Sequence, residues 1–216
     1  MAGCCPLPTA MTTISTSSCA FNLNQVHRVW FVREGEVIFD IGTPANNVPA
    51  AIVGDAPEDV TPWDTLKVAA DSTKVIYLPL FGGDPIVTPG EEISKGGNDN
   101  STLDGKKKHI SFAPSSFTAR LDGLAPAQEK EISEIVCEGD TLEVYFILHD
   151  KSIVGTLDAL TSNLFTGIPV ASAVILHGRA VNGNVDDDTN VIEFQLAKDW
   201  TYELSKRTPT FNTLTY

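Results

Sequence analysis

The chain has 216 residues, of which 28 are acidic and 15 basic, for a formal charge of −13. That balance argues against a broad cationic face of the kind that grips DNA, RNA or an anionic membrane. A hydrophobic content of 42% with 20% charged residues fits a globular fold that buries roughly 70% of its extended-chain surface, not a disordered acidic tail. No apolar run approaches the ~18 residues of a membrane-spanning helix.

Residues 1–24 read as a polar arm that is ordered only by docking on something else. MAGCCPLPTAMTTISTSSCA lacks the basic start and continuous apolar core of a secretory signal, and Thr16 stands where a lipoprotein site at Cys19 would want an apolar residue. Residues 25–205 read as a single β-rich domain. In QVHRVWFVREGEVIFDI, alternation puts Val26, Arg28, Trp30 and Val32 on one face and His27, Val29, Phe31 and Arg33 on the other; Glu34-Gly35 then predicts a hairpin. Residues 42–73, punctuated by Pro44, Pro49, Pro57 and Pro62, predict irregular structure with one short element near Trp63–Ala70. KVIYLPLF (Lys74–Phe81) reads as a strand whose Pro79 marks an edge or an end.

Gly82–Lys108, with six glycines and two prolines, predicts a long loop, and loops of that length are usually functional or disordered. HISFAPSSFTARLDGL follows as a strand or strand pair. Ala125–Glu138 predicts a helix, with Pro126 in its first turn and Ile132, Ile135 and Val136 on one side. TLEVYFILHD (Thr141–Asp150) is almost wholly apolar and so reads as a strand buried on both faces, with SIVGTLD as its hairpin return. Val170–Val181 and Asn190–Leu204 bracket a turn at Asn182-Gly183, and residues 206–216 read as an exposed tail. The sum is a mainly β (α+β) fold: a β-sandwich or half-barrel with one flanking α-helix and long loops.

Candidate chemistry is sparse, and no catalytic, cofactor-binding or metal residue is assigned. Asn182, Asn184, Asp186 and Glu193 fall near the spacing of a calcium loop, but Asp187 replaces the required glycine and the flanks are strands. A solvated hairpin tip is the better account, with weak calcium binding by Asp186–Asp188 left open. DGKKKH (Asp104–His109) lacks the glycine and hydroxyl spacing of a phosphate loop; its lysines either solubilise or meet acidic groups on another subunit. His27, His109, His149 and His177 sit on separate elements, none at metal-ligand spacing from another, and no nucleophile elbow accompanies His149-Asp150. Cys4, Cys5, Cys19 and Cys137 form no zinc framework; Cys137 reads as a buried thiol, and the oxidation state of the other three stays open. Trp30, Trp63 and Trp200 are dispersed; Trp200 and Tyr202 would share a face only if their strand continued. Asn100-Ser101-Thr102 matches the glycosylation acceptor pattern, which means little without a secretion signal.

Read whole, a Cys-bearing Ser/Thr-rich leader precedes FNLNQVHRVWFVREGEVIFD. Much later comes SFTARLDGLAPAQEKEISEIVCEGDTLEVYFILHDKSIVGTLDA, then the hairpin PVASAVILHGRAVNGNVDDDTNVIEFQLAKDW. This order of elements, with Asp150, Gly155 and Trp200 as marker positions, resembles small virion structural proteins of tailed phages of the Bacteroidetes-infecting kind and the tail-tube or neck-ring type of fold. The match runs mainly over residues 112–200. The resemblance implies a non-enzymatic protein without cofactor or membrane contact, assembled in the host cytoplasm into the virion. It implies self-association into rings, six-fold in tube proteins, contact with neighbouring tail or neck proteins, and a lumen through which DNA passes without specific binding. An acidic wall suits such a conduit, because it repels phosphate over a screening length of ~8 Å. A capsid-decorating protein shares these expectations. The rival readings are a ligand-binding β-sandwich, carbohydrate-binding or adhesive, which would need exposed aromatics or an occupied Asp186–Asp188 loop, and a hydrolase, which would need His149 or His177 to meet a carboxylate and a nucleophile.

Overall fold

The computed structural model describes residues 23, 25–41, 52–54, 56–97, 106–136, 141–157, 164–183 and 187–216. In chain order the first elements are β1 (Val26–Arg33), β2 (Ile38–Asp40), β3 (Ile52–Gly54), α1 (Val60–Val68), β4 (Ile76–Tyr77), β5 (Ile86–Thr88), β6 (Glu92–Lys95) and β7 (Lys108–Phe112). Next come β8 (Ser115–Asp122), α2 (Pro126–Val136), β9 (Leu142–Leu148), β10 (Ile153–Leu157), β11 (Leu164–Thr166) and β12 (Ile168–Pro169). β13 (Ile175–Leu176), β14 (Thr189–Leu196) and β15 (Leu204–Arg207) complete the order. The fold is mainly β, as the alternation predicts.

The larger sheet runs β3-β2-β11-β10-β9-β1-β4, with β12 also on β9 and β15 also on β10; the second runs β13-β14-β8-β5. β9 lies at the centre because its seven residues are all buried. Leu142, Val144, Phe146 and Leu148 turn to one cluster, shared with Phe117, Ala119, Leu121, Ile192 and Phe194 of the second sheet and Ile132 and Ile135 of α2. Tyr145 and Ile147 turn to another, with Trp30, Phe39, Trp63, Leu66 and Phe165. The larger sheet is therefore covered on both sides, by the second sheet and α2 on one and by α1 and the chain's end on the other. Phe117 stacks on Phe146 (5.4 Å) and Phe194 meets Phe31 edge-on (5.4 Å), joining the two sheets, while Phe117 also stacks on Phe194 (4.6 Å) within the second. α2 starts as predicted: Pro126 opens it, and the Gln128 side chain accepts a hydrogen bond from the Ala125 N–H at 3.0 Å, one half of a capping box.

Five sequence expectations change. The turn at Glu34-Gly35 forms, but β2 pairs with β11 and β3 instead of folding back on β1. The strict alternation of β1 is broken by a bulge: Val26 opposes Leu148 and Arg28 opposes Ile147, so Val26 joins the face of Val29 and Phe31. A second helix, α1, occupies the Trp63 region, anchored by Trp63 Nε1 donating to the Pro57 carbonyl at 2.8 Å. The tract read as loop from Gly82 to Lys108 contains β5 and β6, which glycines and prolines bound without interrupting. The end of the chain is packed, not exposed: β15 joins the larger sheet, and Phe211, Leu214 and Tyr216 lie on the second cluster. Thr213 is fully buried; its hydroxyl donates to the Lys151 carbonyl (2.7 Å), and its own carbonyl accepts from buried Arg28 (3.4 Å).

Candidate assembly surfaces

β6 and β7 stand apart from both sheets as a two-stranded ribbon, pairing with each other and, among the described residues, with no other strand. A bulge between Ile93 and Ser94 twists it. Ile93, Ile110 and Phe112 are 48%, 59% and 52% exposed, unusual for such side chains on a short ribbon. Glu92 gathers the ribbon's charge, accepting from Lys107 Nζ at 2.8 Å and lying 3.4 Å from His109 Nδ1; these contacts hold its carboxyl below the usual range, the Lys107 hydrogen bond being the larger cause. Lys95 and Lys108 oppose each other at the end of the ribbon away from Glu92, with Lys106 just beyond in sequence. The base is fixed by the Ala113 N–H donating to the Glu91 carbonyl at 2.9 Å and by Gly90, where a Cβ would stand 1.9 Å from the Ala113 oxygen.

The second sheet contributes two open edges, β5 and β13, each with an exposed isoleucine, Ile86 and Ile175. Its outer face between them is polar, built from Ser116, Thr118 and Arg120 of β8 and Glu193 and Gln195 of β14. There Glu193 meets His177 Nε2 (3.3 Å) and accepts from Ser116 Oγ (3.3 Å). A serine, a carboxylate and a histidine do converge, but the carboxylate sits between the other two. A hydrolytic triad needs the imidazole against the hydroxyl, with the carboxylate behind it; in this order the serine meets the carboxylate and not the imidazole.

The remaining sequence candidates separate. His149 lies against His27, with Nδ1 to Nε2 at 3.2 Å, a pairing that their separation of 122 positions in sequence hid. Asn182 Nδ2 donates to the Asp187 carbonyl (2.9 Å); Asn184 and Asp186 lie outside the described residues, as do Asn100, Ser101, Thr102 and all four cysteines. β14 ends at Leu196, so Trp200 and Tyr202 share no strand face. Trp200 is buried with Nε1 on Ser115 Oγ (3.3 Å), while Tyr202 is 79% exposed. Among the described residues no three metal-ligating side chains cluster, and no helix is long and apolar enough to cross a membrane. A cleft of about 520 Å³ between β4 and α2 carries Arg33, Lys67 and Lys74 together with Asp71, Glu131 and Glu134, charges that offset one another.

No family model matches the chain, and no curated protein matches it. Among solved structures it is similar to a chain from the tail of an empty gene transfer agent particle with C6 symmetry, at 12% identity and a TM-score of 0.35, over 64% of this chain and 88% of the other. It is also similar to a chain from the virion of a native gene transfer agent particle, at 11% identity and a TM-score of 0.34, over 61% and 88% of the two chains.

Proposed function

We propose that the chain is a structural subunit of a tailed-phage-like virion that self-assembles into rings of a tail tube or neck and encloses an acidic-walled passage for DNA. The observation that carries this reading is the ribbon of β6 and β7. A two-stranded hairpin is marginal in water on its own, and this one presents Ile93, Ile110 and Phe112 to solvent. Such a ribbon gains stability by laying its apolar side chains on another surface.

Charge selects that surface. Four of the chain's 15 basic residues, Lys95 and Lys106–Lys108, sit on the ribbon, while the chain as a whole carries 28 acidic ones. The body of a second copy is a complementary partner, and an arm that docks on a different part of an identical subunit makes a heterologous contact. Heterologous contacts close into rings or propagate into filaments. A contact of this kind supports the ring reading and calls for no catalytic group.

Light scattering over a concentration series, with negative-stain microscopy, tests the reading. Rings or stacked tubes are expected, and they should disappear when Lys106, Lys107 and Lys108 are all replaced by Glu. A wild-type chain that stays monomeric at every concentration, or rings that survive the charge reversal, would count against it.

A further inference from the structure

The contact between His27 and His149 lies outside the ribbon and the sheet edges, and the assembly reading makes no use of it. The bulge at the start of β1 creates it. Val26 opposes Leu148 and Arg28 opposes Ile147, which leaves His27 as the extra residue, and bulges re-aim the side chain they carry. His149 follows β9 directly, and its N–H donates to the Gln25 carbonyl at 3.0 Å, where Gln25 takes a left-handed φ of 30°. The Phe81 N–H donates to the His27 carbonyl at 2.8 Å, so the backbone is held on both sides of the pair. His149 is exposed and His27 half-buried, so solvent reaches them.

The two nearest ring nitrogens, Nδ1 of His149 and Nε2 of His27, are 3.2 Å apart, with ring centroids at 4.9 Å and planes tilted by 40°. Two imidazole nitrogens on one metal ion, each at about 2.0–2.1 Å with an angle between 90° and tetrahedral, stand roughly 2.9–3.4 Å from each other. The observed separation falls inside that interval. The neighbouring carboxylates are engaged elsewhere: Asp84 accepts from the Gln25 amide, and Asp150 is paired with Lys206. The donors on offer are therefore nitrogens, which favour zinc, nickel or copper over magnesium or calcium. We propose that His27 and His149 form a two-imidazole seat for a divalent transition-metal ion, with water completing the coordination.

Histidine-selective proton–carbon NMR of the full chain tests this during titration with Zn²⁺ near neutral pH. The imidazole signals themselves are the readout, because cysteine thiols also take up zinc, and the ion is added beyond what four cysteines absorb. Single His→Gln variants assign the four signals. His27 and His149 should move along one shared curve at zinc levels at least about tenfold below any response of His109 or His177. In His149→Gln the His27 response should weaken by about tenfold or more, and the reverse in His27→Gln. A measurement that needs no variant is paramagnetic broadening by substoichiometric Ni²⁺ after the cysteine thiols have been blocked with iodoacetamide, which should appear first at the amides of residues 26–28 and 148–150. The proposal fails if the four histidines respond alike, if His27 responds unchanged in His149→Gln, or if the broadening begins elsewhere.

Discussion

Glu143 offers a stability test that the fold makes quantitative. It sits on β9 with 6% exposure; one carboxylate oxygen lies 3.3 Å from the Gly35 N–H and the other 3.1 Å from the Gly167 N–H. Burial pushes its carboxyl up from 4.5 to about 7, against those two hydrogen bonds and with help from the nearby Glu34 charge. The folded state thus holds a proton that the unfolded chain releases more readily. The stabilisation is complete below about pH 4.5 and is lost as pH rises through about 7. A carboxyl displaced that far accounts for roughly 3 kcal/mol across the interval. Glu143→Gln mimics the protonated form permanently, at a cost of about 1 kcal/mol because its amide cannot accept from both glycine N–H groups. Urea unfolding of both proteins should therefore show the variant slightly less stable near pH 5 and about 2 kcal/mol more stable near pH 9. All other carboxylates titrate in both proteins and cancel in the difference. A difference between the two that stays constant from about pH 5 to 9 would refute the burial argument.

Three further outcomes follow from the packing. Replacing Ile110 and Phe112 together by Ser should leave monomer stability within about 0.5 kcal/mol, since both are solvent-facing, yet weaken self-association by about tenfold or more in sedimentation velocity. Gly155→Ala would put a Cβ 2.3 Å from the Thr166 carbonyl oxygen and 2.9 Å from the Phe165 ring, where backbone cannot yield cheaply; a loss of about 1–3 kcal/mol or more should appear in thermal unfolding. Deleting residues 211–216 removes the Tyr216 ring from beside Trp30 (6.0 Å) and Tyr77 (5.4 Å), so tryptophan emission should shift to the red and the unfolding midpoint should fall. Unchanged emission would mean that the end of the chain contributes nothing to the second cluster.

What the sequence discloses here depends on whether a signal is periodic. The β9 segment, apolar at six of seven positions with Glu143 the exception, predicts burial on both faces, and the spacing of Ile132 and Ile135 behind Pro126 predicts α2; both follow from local rules, and both form. The bulge in β1 is legible only from the partner strand, because nothing in VHRVWFVR distinguishes an extra residue from a regular one. Phe211, Leu214 and Tyr216 are spaced three and then two apart, which fits neither helix nor strand, so their packing is set by the shape of the groove beside Trp30 and Tyr77. The His27 and His149 pairing needs both the bulge and the β1 to β9 register before it can be seen. Polar, glycine-rich composition likewise masks β5 and β6, whose three and four residues contribute too few apolar positions to show a period.

The covering of the larger sheet limits where an assembly contact can form. Its central strand β9 is buried on both faces, so among the described residues no broad apolar face of that sheet is left for a partner. The second sheet turns a polar surface outward, with Glu193 already committed to Ser116 and His177. Among the described residues, large exposed apolar side chains stand at Ile93, Ile110 and Phe112 on the ribbon and at Ile86 and Ile175 on the edge strands β5 and β13, with Val68, Leu80, Val181 and Tyr202 scattered outside both. Edge strands carry unpaired backbone groups and accept an added strand from another chain. A ribbon that needs a surface and an edge that accepts a strand are different parts of one subunit. A contact between them made in one direction would be heterologous, whereas a reciprocal exchange of ribbons between two copies would close a two-fold dimer.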